Sequence, residues 1–257
     1  AWFIVAELRN PAPLLQIRLL AERNFGISMA VLTLFAIGML GGTYLLPLYM
    51  QRGLGYTALA AGSMFLPVGV IQGVLSAVSG YLTRYVRPLL LSAAGILIMA
   101  LSFWLASRFT LHTTHGHILF ILYLRGFGMG LTFAPLNLFS LKNLTQQDMA
   151  AAAGISNSIK QLAGSIGIAL LTVIFSARTS YHAAHETVSA AQTYVEGVTD
   201  ALRVVAVITL AALLPLLGVF RKKRPGKSGV KGAATPSPGE AVSGKTDKTT
   251  IYRTKPE

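Results

Sequence analysis

The chain has 257 residues, 53% of them hydrophobic and only 12% charged, with 22 Lys and Arg against 9 Asp and Glu. An ordinary soluble domain is about one quarter charged, so this composition excludes one, and a mean hydropathy of +0.58 points to lipid as the solvent. The sequence contains no cysteine, which excludes disulfides and thiolate metal sites.

The first residues, Ala1 to Val5, form an apolar stub that runs into Glu7, Arg9, Pro11 and Pro13. The stub reads as the severed end of another span, so the chain is expected to be a C-terminal piece of a longer protein. Between Pro13 and Arg23, Leu14, Leu15, Ile17, Leu19 and Leu20 alternate with Arg18 and Glu22. This pattern fits a short helix lying on the inner membrane surface or a soluble linker helix; residues 1–26 are assigned to the stub and this linker.

A helix that crosses a bilayer takes about 20 mostly apolar residues. Six runs reach that length: Ile27–Tyr49, Ala58–Leu82, Leu89–Ser107, Ile118–Phe139, Ala153–Phe175 and Ala201–Phe220. The expected fold class is therefore an all-α membrane protein, with a six-helix transmembrane bundle over 27–220 and a tail over 221–257. All nine acidic residues fall outside these runs, and only Arg125, Lys160 and Arg203 bring charge into them.

The first run carries Gly38, Gly41 and Gly42, then Pro47 between Tyr44 and Tyr49 near an interface. The second holds Pro67 and Gly69 mid-membrane, with Gln72, Gly73 and Ser76 after them. A mid-helix proline frees a backbone carbonyl that needs an internal partner, so this helix is expected to face protein or a cavity. The fourth run contains Arg125, Gly126, Gly128, Gly130, Pro135 and Asn137.

In the fifth run, helical spacing places Asn157, Gln161 and Ser165 on one face and Ser156, Lys160, Gly164 and Gly167 on the adjoining one. A polar wall of this kind belongs against other helices or water. Residues 176–200 are expected to form the longest outer loop, with His182, His185 and Glu186 on a solvated loop helix rather than in a metal site.

Excess Lys and Arg marks the cytoplasmic side. If the six runs alternate across the membrane, 16 of the 22 basic residues fall on the side of the two chain ends, and only Arg52, Arg108 and Arg178 on the other. Both ends are thus expected in the cytoplasm. Ten of the basic residues lie after Phe220, in a stretch rich in Gly, Pro, Ser, Thr and Lys that cannot bury a core and is expected to be disordered. Its charge suits anionic lipid better than nucleic acid, and no nucleic-acid partner is expected.

The order Tyr44-Leu45-Leu46-Pro47-Leu48-Tyr49-Met50-Gln51, then Gly55-Tyr56-Thr57-Ala58-Leu59-Ala60-Ala61-Gly62 and Leu66-Pro67, resembles the second half of the 14-helix drug:proton antiporters of the major facilitator superfamily. Gly126-Phe127-Gly128-Met129-Gly130 and Gly154 to Gly167, including Asn157-Ser158-Ile159-Lys160-Gln161, extend the match. The resemblance covers residues 1–220. It implies the C-terminal bundle of a multidrug exporter in the inner cell membrane, built from two inverted three-helix units as is known for this superfamily. The other half would be its partner, with a small-molecule substrate bound near the midplane between halves.

The same resemblance implies no enzyme activity and no cofactor. The polar and ionisable residues inside the runs make Arg125, which also resembles an arginine of the family, with Lys160, Asn157, Gln161, Gln72, Tyr44 and Asn137, the candidate substrate and coupling pathway. Proton coupling normally uses an intramembrane Asp, Glu or His, and since the runs contain none, the coupling carboxylates are expected in the absent half. Arg125 would pair with a carboxylate or polar group across the interface between halves, and Lys160 would face the cavity or reach the inner headgroups. The turn Gly80 to Pro88 departs from the family by having no Asp, which removes a charge relay there. A metabolite or siderophore exporter of the same superfamily, or a non-transporting membrane scaffold, is the alternative.

Overall fold

A computed structural model describes residues 17–142, 144–146, 148–185 and 189–222. After a short 3-10 turn at Ile17–Ala21, the helices are α1 (Arg23–Leu48), α2 (Ala58–Ser63), α3 (Leu66–Leu82), α4 (Pro88–Ala106), α5 (His115–Leu141), α6 (Asp148–His185), α7 (Ala190–Ala211) and α8 (Leu213–Lys222). They make six stretches long and apolar enough to cross a membrane, from Arg23–Gly53 to Ala190–Leu216. The chain is a multi-pass, all-helical membrane protein.

Local chemistry sets the breaks. Pro47 removes one intrahelical donor, and two residues later the helix widens into a π turn, Tyr49–Gly53, closed by Leu54 N–H donating to Tyr49 O at 3.1 Å. Gly55 then adopts a φ of +73°, a left-handed conformation open to glycine, and reverses the chain. Thr57 caps α2 by accepting from Ala60 N–H at 3.2 Å. The second span is not one helix as expected: it breaks at Met64–Phe65, so Pro67 sits in the first turn of α3, where no donor is missed.

The last two helices also depart from expectation. The fifth span extends through Ala184 and the sixth starts at Ala190, so most of the expected outer loop at residues 176–200 is helical. Ala177, Ala183, Ala184, Ala190 and Ala191 favour helix there, although Arg178, Glu196 and Asp200 lower the hydropathy. Ser189 caps the new start by accepting from Gln192 N–H at 3.3 Å.

The first three spans and the last three pack in matching ways. α1 and α5 touch at the centre and α4 and α7 pack behind them; α6 leans on α1 as α3 leans on α5, and α7 packs on α1 as α4 packs on α5. This is the exchange symmetry of two three-helix units. Glycines make the seams. A Cβ at Gly130 would come within 3.0 Å of Gln72 O and 2.7 Å of Leu75 Cβ on α3, and one at Gly167 within 2.5 Å of Ile37 O on α1. Gly128 faces the other way, where a Cβ would meet Met99 N at 2.9 Å on α4. Ser79 Oγ ties α3 to α5 by donating to Gly130 O at 2.9 Å. One contact breaks the symmetry: α6 packs extensively on α7.

Candidate transport pathway

α3 and α6 flank the paired α1 and α5, and they are the least covered helices. Only 17% of the most apolar stretch of the second span and 22% of that of the fifth is buried, against 50% or more for the other four. Leu66, Val70 and Val74 stand exposed along α3, and Leu162 and Ile166 along α6. The exposed strip of α6 also carries Asn157, Gln161 and Ser165, while its buried edge packs Gly164 and Gly167 on α1.

Lys160 is half-buried at the border of those two faces. Its Nζ lies 6.0 Å from the Phe133 ring centroid on α5, and that ring meets Phe35 of α1 edge-on at 5.5 Å. An ammonium over an aromatic face is held by the ring quadrupole, so Lys160 bridges α6 to α5 across α1. Tyr44 and Asn137 are exposed and Gln72 is half-buried. Among the described residues no hydrogen bond or ion pair joins any two of the seven candidate side chains.

Arg125 is placed differently from the other candidates. It is 2% exposed and its guanidinium lies inside the bundle. Nη2 donates to Met39 O at 3.0 Å and to Thr43 Oγ1, and Nη1 to Gly42 O at 3.3 Å, all on α1. Cζ stands 5.3 Å from the Phe103 ring centroid on α4. No described carboxylate comes within ion-pairing distance, so a full positive charge is held by carbonyls, a hydroxyl and a ring. The sequence singled out Gly42 only as a small residue, and Thr43 and Phe103 not at all, because a carbonyl, a hydroxyl and a ring on other helices leave no signature in the spacing around Arg125.

Sequence reasoning placed His182 on a solvated loop helix and passed over its pairing with Glu196 and Asp200, which it meets where α6 and α7 continue past the expected span ends. Glu196 and Asp200 are four apart and share a helix face, a signal that becomes visible once α7 is started at Ala190. His185 ends α6, and Glu186 lies outside the described residues.

The family model of the Major Facilitator Superfamily matches residues 3–168. The chain belongs to this superfamily. Its relatives within it include the Multidrug export protein EmrB of Escherichia coli (strain K12), 32% identical over 189 residues, covering 73% of this chain and 37% of that protein. The Fatty acid resistance protein FarB of Neisseria gonorrhoeae is 29% identical over 182 residues, 71% of this chain and 36% of that protein. The Cephamycin export protein CmcT of Amycolatopsis lactamdurans is 33% identical over 181 residues, 69% of this chain and 37% of that protein. The aligned part of the chain spans about a third of the length of the curated relatives it matches. The superfamily's members are transporters, and the two matching three-helix units found above are its known repeats.

Proposed function

We propose that the chain forms one six-helix bundle of a proton-coupled secondary active exporter of small amphipathic or cationic compounds, working by alternating access. A second bundle of the same protein would cover α3 and α6, with substrate held near the midplane between them. The reading is supported above all by Asn157, Gln161 and Ser165 standing exposed on α6 at membrane depth. In hydrocarbon such groups are costly without partners, so this strip suits a second bundle or a water-filled path. The export activities named for EmrB and CmcT point the same way.

Within this reading Lys160, Asn157, Gln161, Gln72, Tyr44 and Asn137 line the path. Arg125 holds α5 to α1 beside it, with its charge acting on the proton affinity of groups nearby. In this reading the protein sits in the inner cell membrane with both ends of the chain in the cytoplasm, which the excess of Lys and Arg on that side supports, and the α4–α5 and α6–α7 turns face outward.

The chain contains no cysteine, so single cysteines can be introduced without background from this segment. In the full-length transporter, with any cysteines elsewhere replaced, N157C, Q161C and S165C are expected to react with a water-soluble maleimide and to be protected by ethidium. V173C, also exposed but on apolar surface, is expected to stay unreactive. Inert cysteines at all three polar positions would overturn the pathway, and a transport rate that ignores the proton gradient would overturn the coupling.

A further inference from the structure

The contact that breaks the bundle's internal symmetry contains a set of ionisable side chains. At the end of the molecule carrying the α4–α5 turn, Phe175 of α6 meets Tyr194 of α7 edge-on at 4.9 Å, and Gly197 lets α7 close on Thr179. One turn further out, His182 lies between two carboxylates of α7. Its Nε2 is 3.1 Å from Asp200 Oδ2 and its Nδ1 is 3.5 Å from Glu196 Oε2. The imidazole is 15% exposed and the Asp200 side chain 19%.

The two carboxylates are served unequally. Asp200 also accepts from Arg203 Nη1 at 2.8 Å, and Arg178 Nε stands 3.8 Å away. On Glu196, Oε1 accepts from Gln192 Nε2 at 3.1 Å, while Oε2 is sealed from solvent without a hydrogen bond of its own. Around them, the Tyr181 ring meets His182 edge-on at 5.8 Å. His112 of the α4–α5 turn and Glu196 line one cavity of ≈ 190 Å³ that is partly open to the surface. On the far side of α7, Arg52 of the π turn and Tyr44 of α1 stand beside the Tyr194 hydroxyl.

A neutral imidazole has a single N–H, and a protonated one has two. Whichever nitrogen carries that single proton, the other turns a lone pair onto a carboxylate oxygen, and two acceptors then face each other in shielded space. One more proton, on the ring or on Glu196 Oε2, turns this opposition into a hydrogen bond.

We propose that His182, Glu196 and Asp200 form a proton-binding site that joins α6 to α7. Arg178 and Arg203 attend Asp200, so the added proton answers the charge of Glu196. The cavity beside Glu196 gives water, and therefore protons, a way in. With the proton bound, the ring holds both carboxylates and ties the two helices; without it, the ring can donate to only one of the two, and the tie between the α6 and α7 ends is weakened. The site's service as the entry point for driving protons rests on the exporter reading above, in which this end faces outward.

The test uses the full-length transporter in nanodiscs with ring-15N histidine, the His182 signals being assigned by their loss in H182Q. Between about pH 8.5 and pH 5.5 the His182 ring is expected to pass from one N–H to two. E196Q is expected to change the ratio of the two ring forms at a fixed intermediate pH about tenfold, and E196D to restore much of it. A wild-type ring that keeps one form across this range, or one titrating identically in E196Q, overturns the proposal.

Ethidium efflux from proteoliposomes is the second arm. H182Q and E196Q are expected to lose about tenfold of proton-driven efflux while retaining ethidium exchange at equal pH. If wild-type efflux proves independent of the gradient, the exporter reading fails and the ring titration still decides the site. If wild-type efflux is proton-driven and both variants keep it in full, the entry role is overturned.

Discussion

Gly42 on α1 and Phe103 on α4 are in direct contact, and the ring fills the space that any Cβ at position 42 would occupy. Phe103 is 0% exposed, and its ring also lies under the Arg125 guanidinium. Gly42→Ala is therefore expected to destabilise the bundle by about 1–3 kcal/mol, the usual cost of overpacking a filled core. Gly116→Ala, where an added Cβ meets nothing within 4 Å, serves as the control. Thermal unfolding in detergent, followed by intrinsic fluorescence, reads the difference.

Arg125 separates stability from function. A buried charge is costly to desolvate, and replacing it by an apolar side chain of similar length is often neutral or stabilising. Arg125→Met is expected to leave the unfolding temperature unchanged or raised. Transport by the full-length protein is expected to fall about tenfold or more, because the charge and its grip on Met39, Gly42 and Thr43 are gone. Unaltered transport in a stable Arg125→Met variant would reduce Arg125 to a packing residue.

Tyr49 tests the π turn. Its hydroxyl donates to Thr110 O at 2.7 Å while its ring stacks on Phe109 at 4.9 Å. Tyr49→Phe keeps the stack and removes the bond, so a loss of about 1 kcal/mol is expected. Faster amide exchange confined to residues 49–56 and 109–113 would locate the effect.

Ser79 is the polar tie between α3 and α5, and hydrogen bonds between membrane helices average about 0.6 kcal/mol. Ser79→Ala is expected to cost about that much. Gly130→Leu is expected to cost more and to push α3 outward, since its side chain would fall on Gln72 O and Leu75. Thermal unfolding in detergent reads both losses, and faster amide exchange at residues 72–79 and 126–134 would locate them at this seam.

The six spans were legible in the sequence because their length and hydropathy leave few alternatives. The order of the glycine-rich segments also carried the superfamily. The seams were legible in part: Gly126 and Gly130, four apart, share the face that meets α3, while Gly128 points about 200° away at 100° per residue, toward α4. The shared face of Asn157, Gln161 and Ser165 was read directly from helical spacing.

What the sequence hid has physical causes. Hydropathy marks where a helix is apolar, and α6 and α7 remain helical after their charge rises, so the span ends were set too early and the pairing of His182 with Glu196 and Asp200 was lost. Pro67 was placed inside a helix because composition does not reveal the turn at Met64–Phe65 just before it. Two of the Arg125 partners, at Met39 and Gly42, are carbonyls, which every residue possesses and no residue advertises.

The seam between α1 and α6 is tightly interlocked: Gly167 lies on the Ile37 carbonyl, Gly41 takes the Leu171 side chain and the Gly167 carbonyl, and Gly164 takes the Leu40 side chain. Two rods interlocked in this way cannot slip past each other without losing many close contacts together. A tilt of α6, imposed at its polar strip, is therefore delivered along α1 to the π turn, to Tyr49 and to the Thr110 carbonyl it grips. The helix pair is thus expected to move as one stiff body from the strip of Asn157, Gln161 and Ser165 to the turn at Tyr49.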